Sequence, residues 1–122
     1  MENVPGMLSV GGVNVADEVC SELAALGYRT GYALLNAVWY GVPQFRERLF
    51  FIGLRADLGI DPSAPPTTHA VDMPEGYSPP LRYTAPSLPF GPPWDTIFGQ
   101  LRVPQGGSAS AVSVREALAD LP

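Results

Sequence analysis

Between residues 15 and 54 the apolar positions change their period once. Val15, Val19, Leu23 and Leu26 recur at helical spacing and form one stripe. Asn14 is a good N-cap, Asp17 occupies the capping-box place three residues on, and Gly27 supplies the C-terminal stop. A helix with one such stripe needs a sheet face to cover. Tyr28 to Asn36 then alternates, with Tyr28, Thr30, Tyr32 and Leu34 on one face, which predicts a strand. Ala37 to Tyr40 is a short turn. From Arg48 to Ile52 the residues are long, aromatic or β-branched, the pattern of a strand buried on both faces and running to about Leu54. Gly41 permits a bend, while Pro43 fixes its own φ and holds Val42 extended, so the backbone reaches Gln44 stiff. On an extended backbone Arg46 and Arg48 leave the same face and Glu47 the other. Two guanidinium forks aimed one way clamp an anionic or carbonyl-rich group. For an arbitrary R-x-R the alternative is a solvated strand entry with surface ion pairs.

The pattern dissolves after residue 56. Eleven of the chain's 14 prolines fall between Pro62 and Pro104, with P-x-x-P spacings at Pro62/Pro65 and Pro86/Pro89. Such spacings suit a polyproline II ligand, but they arise often in any proline-rich stretch, so a long irregular connection is preferred. Trp94, Ile97, Phe98 and Leu101 make one short amphipathic patch suited to docking on a larger body. Ser113 is placed to cap a last helix, with Glu116 in the capping-box position and Leu118 and Leu121 apolar. One helix and two strands make only a partial sheet, and two strands alone are marginal in water, so this segment expects neighbours it does not contain.

Composition then narrows the chemistry. No apolar run is long enough to span a bilayer and the N-terminus lacks a signal-peptide pattern, which gives the expectation of a soluble, cytoplasmic protein with no membrane partner. All seven basic residues are arginine against 12 acids, a net charge of −5. A chain of that balance lacks the basic footprint of a free-standing nucleic-acid binder, although it can still form one wall of a larger site. Cys20, the only cysteine, excludes an intrachain disulfide and lies within the helical pattern, which marks it as a small buried hydrophobe. His69, the only histidine, has no cysteine or carboxylate cluster around it, so no metal site is expected.

Two short motifs remain. Glu2-Asn3-Val4-Pro5-Gly6 and, one helix and one strand later, Tyr40-Gly41-Val42-Pro43-Gln44-Phe45-Arg46-Glu47-Arg48 together closely resemble the cytosine-5 DNA methyltransferases, as the E-N-V and Q-x-R-x-R motifs of that family. The resemblance runs through Arg55 and resumes in Val112 to Pro122, which is similar to the segment leading into the family's target-recognition region.

The resemblance implies an α/β chain carrying part of a Rossmann-like methyltransferase fold. Residues 1–56 would be the C-terminal part of the catalytic domain, 57–112 a Pro/Gly-rich and largely irregular connection, and 113–122 the start of the recognition segment. It implies the chemistry of flipping a target cytosine out of double-stranded DNA and methylating it from S-adenosylmethionine, as in restriction-modification systems. Glu2 is expected to hold the cytosine ring nitrogen and exocyclic amine, and Arg48 its carbonyl. Arg46 would order the glutamate loop or a phosphate, Asn3 would fix its own loop, and Gln44 would lie near the flipped nucleotide. The family's F-x-G-x-G cofactor loop and P-C-Q nucleophile are not in this sequence. Cys20 follows the E-N-V motif and so does not take the nucleophile's place. The expectation is therefore a fragment inactive alone, from a truncated gene or a split enzyme completed by a complementary fragment. A start at Met1 would also set an α-ammonium beside Glu2, opposite in sign to what proton donation requires. A non-catalytic protein-interaction module is the alternative.

Overall fold

Nine residues of alternating pattern, Tyr28–Asn36, and nine more, Glu47–Arg55, form an antiparallel hairpin, β2 and β3, that is the centre of the molecule. The computed structural model describes residues 1–71, 101 and 103–121. The remaining elements are β1 (Glu2–Asn3), α1 (Val15–Ala25), β4 (Thr67–Ala70), β5 (Gln105–Ser110) and α2 (Val114–Ala117), with 3-10 turns at Pro5–Leu8, Ala37–Tyr40 and Ala56–Leu58. The fold is mixed α/β. β3 is central in a three-stranded sheet of order β1-β3-β2, antiparallel to both neighbours, with Glu2 opposite Phe50 and Asn3 opposite Leu49.

The hairpin is covered on both faces. On one side Tyr32, Leu49 and Phe51 pack with Ala16 and Cys20 of α1, joined by Met7, Leu8 and Val19. On the other, Ala33 and Leu35 pack with Ala64 and Leu101, joined by Tyr40, Phe50, Ile52 and Val103. Leu101 also donates its backbone N–H to the Tyr32 carbonyl at 3.0 Å, a bond on the outer edge of β2. The expected two-sided burial of the second strand is thus observed, and β2 shares it.

α1 begins where expected, with the Asn14 side chain accepting from the Ala16 N–H at 3.1 Å. Its buried stripe differs from the expected one. Ala16 and Cys20 are buried and Val19 and Leu23 half-buried, whereas Leu26 lies beyond the last helical turn and is 73% exposed. The small residues face the sheet because they let the helix approach the bulky Tyr32 and Phe51 rings, whose centroids are 5.9 Å apart. The Asp17 carboxylate accepts from the Asn14 amide at 2.8 Å and from the Tyr32 hydroxyl at 3.1 Å, so it also ties the helix start to β2.

The segment expected to be irregular contributes two strands. β4 and β5 pair in parallel, with a shift of register between Thr67 and His69. This small sheet is braced on the turn after β2, where the Tyr40 hydroxyl donates to the Pro65 carbonyl and the Thr68 hydroxyl to the Trp39 carbonyl. Ser113 and Glu116 form the expected capping box at α2, and hydrogen bonding from the Ser113 backbone N–H, followed by its side chain, holds the Glu116 carboxyl below its ordinary range. Leu118 and Leu121 are exposed. The expected patch at Trp94, Ile97 and Phe98 and the Pro86/Pro89 spacing lie outside the described residues. Among the described residues no helix is long and apolar enough to cross a membrane.

Candidate active site

The two sequence motifs meet across β1 and β3. Pro5, buried at the first position of a 3-10 turn, ends β1 after two residues and turns the chain away. Because Glu2 stands opposite Phe50, its side chain leaves the sheet on the face of Arg48, Phe50 and Ile52. There Arg48 Nε lies 2.9 Å from Glu2 Oε1, and Arg48 Nη1 donates to the Glu47 carbonyl at 2.7 Å. The fork is held at two of its nitrogens. Arg48 is one-quarter exposed and Glu2 about half, so the pair sits at a lip open to solvent. A carboxylate and a guanidinium therefore stand side by side there.

The other expected site residues are placed differently. Asn3 Oδ1 accepts from the N–H of Val4 at 2.8 Å. Arg46 lies one residue before β3, so the two arginines are not both strand residues; its side chain is exposed and makes no ion pair with a described residue. Gln44 is exposed too, its backbone N–H bonded to the Val42 carbonyl at 2.7 Å in a tight turn. No hydrogen bond joins the Arg46 or Gln44 side chain to Glu2. The Met1 ammonium donates to the Phe51 carbonyl at 3.0 Å, and Glu2 has Arg48 as its partner.

On the opposite face, Glu47 is half-buried with Oε2 unpartnered, and burial pushes its carboxyl up from the ordinary 4.5. Cys20 is buried on the sheet-facing side of α1, and burial followed by the nearby Asp17 charge pushes its thiol up, the reverse of an activated nucleophile. No group of three potential metal ligands occurs among the described residues. Sequence reasoning missed Asn36, whose only signal is a polar residue closing an apolar strand run.

A family model described as C-5 cytosine-specific DNA methylase matches residues 1–87, which includes both motifs. The chain belongs to this family. Among related methyltransferases, Type II methyltransferase M.BspRI of Lysinibacillus sphaericus is 42% identical over 78 residues, 64% of this chain and 18% of that protein. M.BsuRI of Bacillus subtilis is 43% identical over 68 residues, 56% of this chain and 16% of its own length. M.AgeI of Thalassovita gelatinovora is 34% identical over 122 residues, the whole of this chain and 24% of M.AgeI. This cytosine-5 methylase chain therefore spans no more than 24% of any of these three relatives.

Proposed function

We propose that the chain supplies the target-cytosine wall of a DNA (cytosine-5-)-methyltransferase and is inactive without the rest of the enzyme. The observation that carries this reading is the 2.9 Å pair between Glu2 and Arg48, which joins two motifs distant in sequence at one open lip. In this reading α1 and the β2–β3 hairpin are part of a Rossmann-like sheet. The Glu2 carboxyl holds the exocyclic amine and the ring nitrogen of a flipped cytosine, favouring the protonated ring, and the Arg48 guanidinium donates to its carbonyl, where charge develops as the ring is attacked. The partners already made by Arg48 hold the fork still, so little ordering cost falls on the reaction itself. Asn3 keeps the glutamate loop in shape, and Arg46 and Gln44 face the nucleotide's backbone.

S-adenosylmethionine supplies the methyl group in this chemistry. The residues present do not make its site. The family's F-x-G-x-G cofactor loop is not in this sequence, and the glycine pair Gly11 and Gly12 does not carry that motif. The reading assigns this chain no cofactor contact.

The test is a chimera in which this chain replaces the segment of M.AgeI that it matches over 122 residues. Labelled methyl transfer to DNA is expected from the chimera and not from the chain alone. Glu2→Gln and Arg48→Lys are each expected to lower turnover by about 10²–10³-fold, the usual loss on removing one charge-stabilising donor. Full turnover in both variants would remove the assignment, and methyl transfer by the isolated chain would remove the inactivity.

A further inference from the structure

The connection between β2 and β3 is closed by a side chain. Asn36, the last residue of β2, is 1% exposed, and its Oδ1 accepts from two backbone N–H groups, Val38 at 3.3 Å and Arg46 at 3.1 Å. The Ala37 N–H donates to the Arg46 carbonyl at 2.9 Å, so Arg46 is held through both of its backbone polar groups. One of these is an ordinary chain-to-chain bond, and the other depends on the Asn36 amide. The ten residues from Ala37 to Arg46 form a loop with this clamp at its neck, and two residues beyond it stands Arg48, joined to Glu2.

We propose that Asn36 is a positioning residue that sets the aim of Arg48 by fixing the backbone of Arg46 through Oδ1. A glycine-and-proline turn with no such clamp could enter β3 one residue early or late, and a slip of one residue would carry Arg48 to the α1 face and Glu47 to the lip. The inference matters for function only through the pocket reading given above, but its geometry is independent of that reading. Asn36 Nδ2 is buried with no partner among the described residues, so the bonds that hold Val38 and Arg46 are made by Oδ1. The acceptor does the holding, and aspartate keeps an acceptor at the same position.

The test uses ¹⁵N NMR and amide exchange on the 122-residue chain with Asn36→Ala and Asn36→Asp. In Asn36→Ala, protection of the Arg46 and Val38 amides is expected to fall about tenfold, the ratio for one hydrogen bond of ordinary net strength. The Arg48 Nε–H resonance is expected to shift toward its solvent-exposed position, while the Tyr32 and Phe51 ring resonances hold their places. Asn36→Asp should restore both signals. Unchanged Arg46 and Arg48 signals in Asn36→Ala would overturn the proposal. If Asn36→Ala loses the whole sheet, Asn36→Asp decides: retained Arg46 protection and a native Arg48 Nε–H support the positioning role, and their loss in a folded chain overturns it. None of these signals depends on methyl transfer, so failure here and failure of the pocket assignment are read separately.

Discussion

Gly41 is required twice. Its φ of 84° lies in the left-handed region, and a Cβ there would sit 2.6 Å from Cε1 of His69. Gly41→Ala is therefore expected to cost at least about 1–2 kcal/mol from the backbone alone, read as a lower urea midpoint, with a further loss from displacing His69. Replacing His69 by alanine in the same chain should recover part of the loss, since it removes the clash and leaves the strained φ. Glu47 makes a different demand. Its carboxyl is raised by burial, so its folded pKa lies above its unfolded one, and the stability linked to it is fully present below about pH 4.5 and lost as pH rises through the folded pKa. Glu47→Gln should consequently raise the denaturation midpoint at pH 7, and the gap between variant and parent should close as pH falls through the carboxylate range. A gap that widens toward acid pH would mean that Glu47 is stabilised, not penalised, by its surroundings.

At the scale of elements, the sequence carries local information well and partnership badly. The limits of β2 at Tyr28 and Asn36 are legible because an alternating run is bounded by Gly27 and by a capping asparagine. The start of α1 is legible for the same reason. The phase of its buried stripe is not, because Ala16 and Cys20 are chosen by the size of the rings beneath them, which a hydrophobic scale does not see. Glu2 and Arg48 are legible as motif residues, yet only the pairing of β1 with β3 shows that they touch. β4 and β5 are the least legible, since Thr, Gly and Ser carry little apolar signal and the two strands lie far apart in sequence. Their pairing rests on close approach: a Cβ on Gly107 would fall onto the Thr68 backbone, and one on Gly106 would lie 2.7 Å from the Thr67 carbonyl oxygen. Gly107→Ala is expected to separate β4 from β5, seen as lost amide protection at Thr67 with the β2–β3 ladder unchanged. Loss of both sheets together would show that they form one cooperative unit.

For the whole molecule the deciding quantity is the disposition of charge. The chain carries a net −5, and most of its described arginines are already committed: Arg29 pairs with Asp61 at 2.6 Å, Arg48 with Glu2 at 2.9 Å, and Arg55 with Asp57 at 2.6 Å. Arg46 and Arg115 are the described arginines without an ion pair. Each phosphate neutralised contributes roughly 0.9 to the slope of log affinity against log salt, so a free-standing duplex binder with six to ten such contacts shows a steep dependence. The described residues hold too few uncommitted cations for that, and the acids of a chain with net charge −5 repel the duplex at long range. Fluorescence anisotropy with labelled duplex DNA is therefore expected to give weak binding by the isolated chain, with a salt slope of about one or two in magnitude. The chimera with M.AgeI should bind far more tightly, and Arg46→Ala within it should lower the slope by about one. Tight, steeply salt-dependent binding by the isolated chain would mean that the pocket wall carries its own DNA footprint.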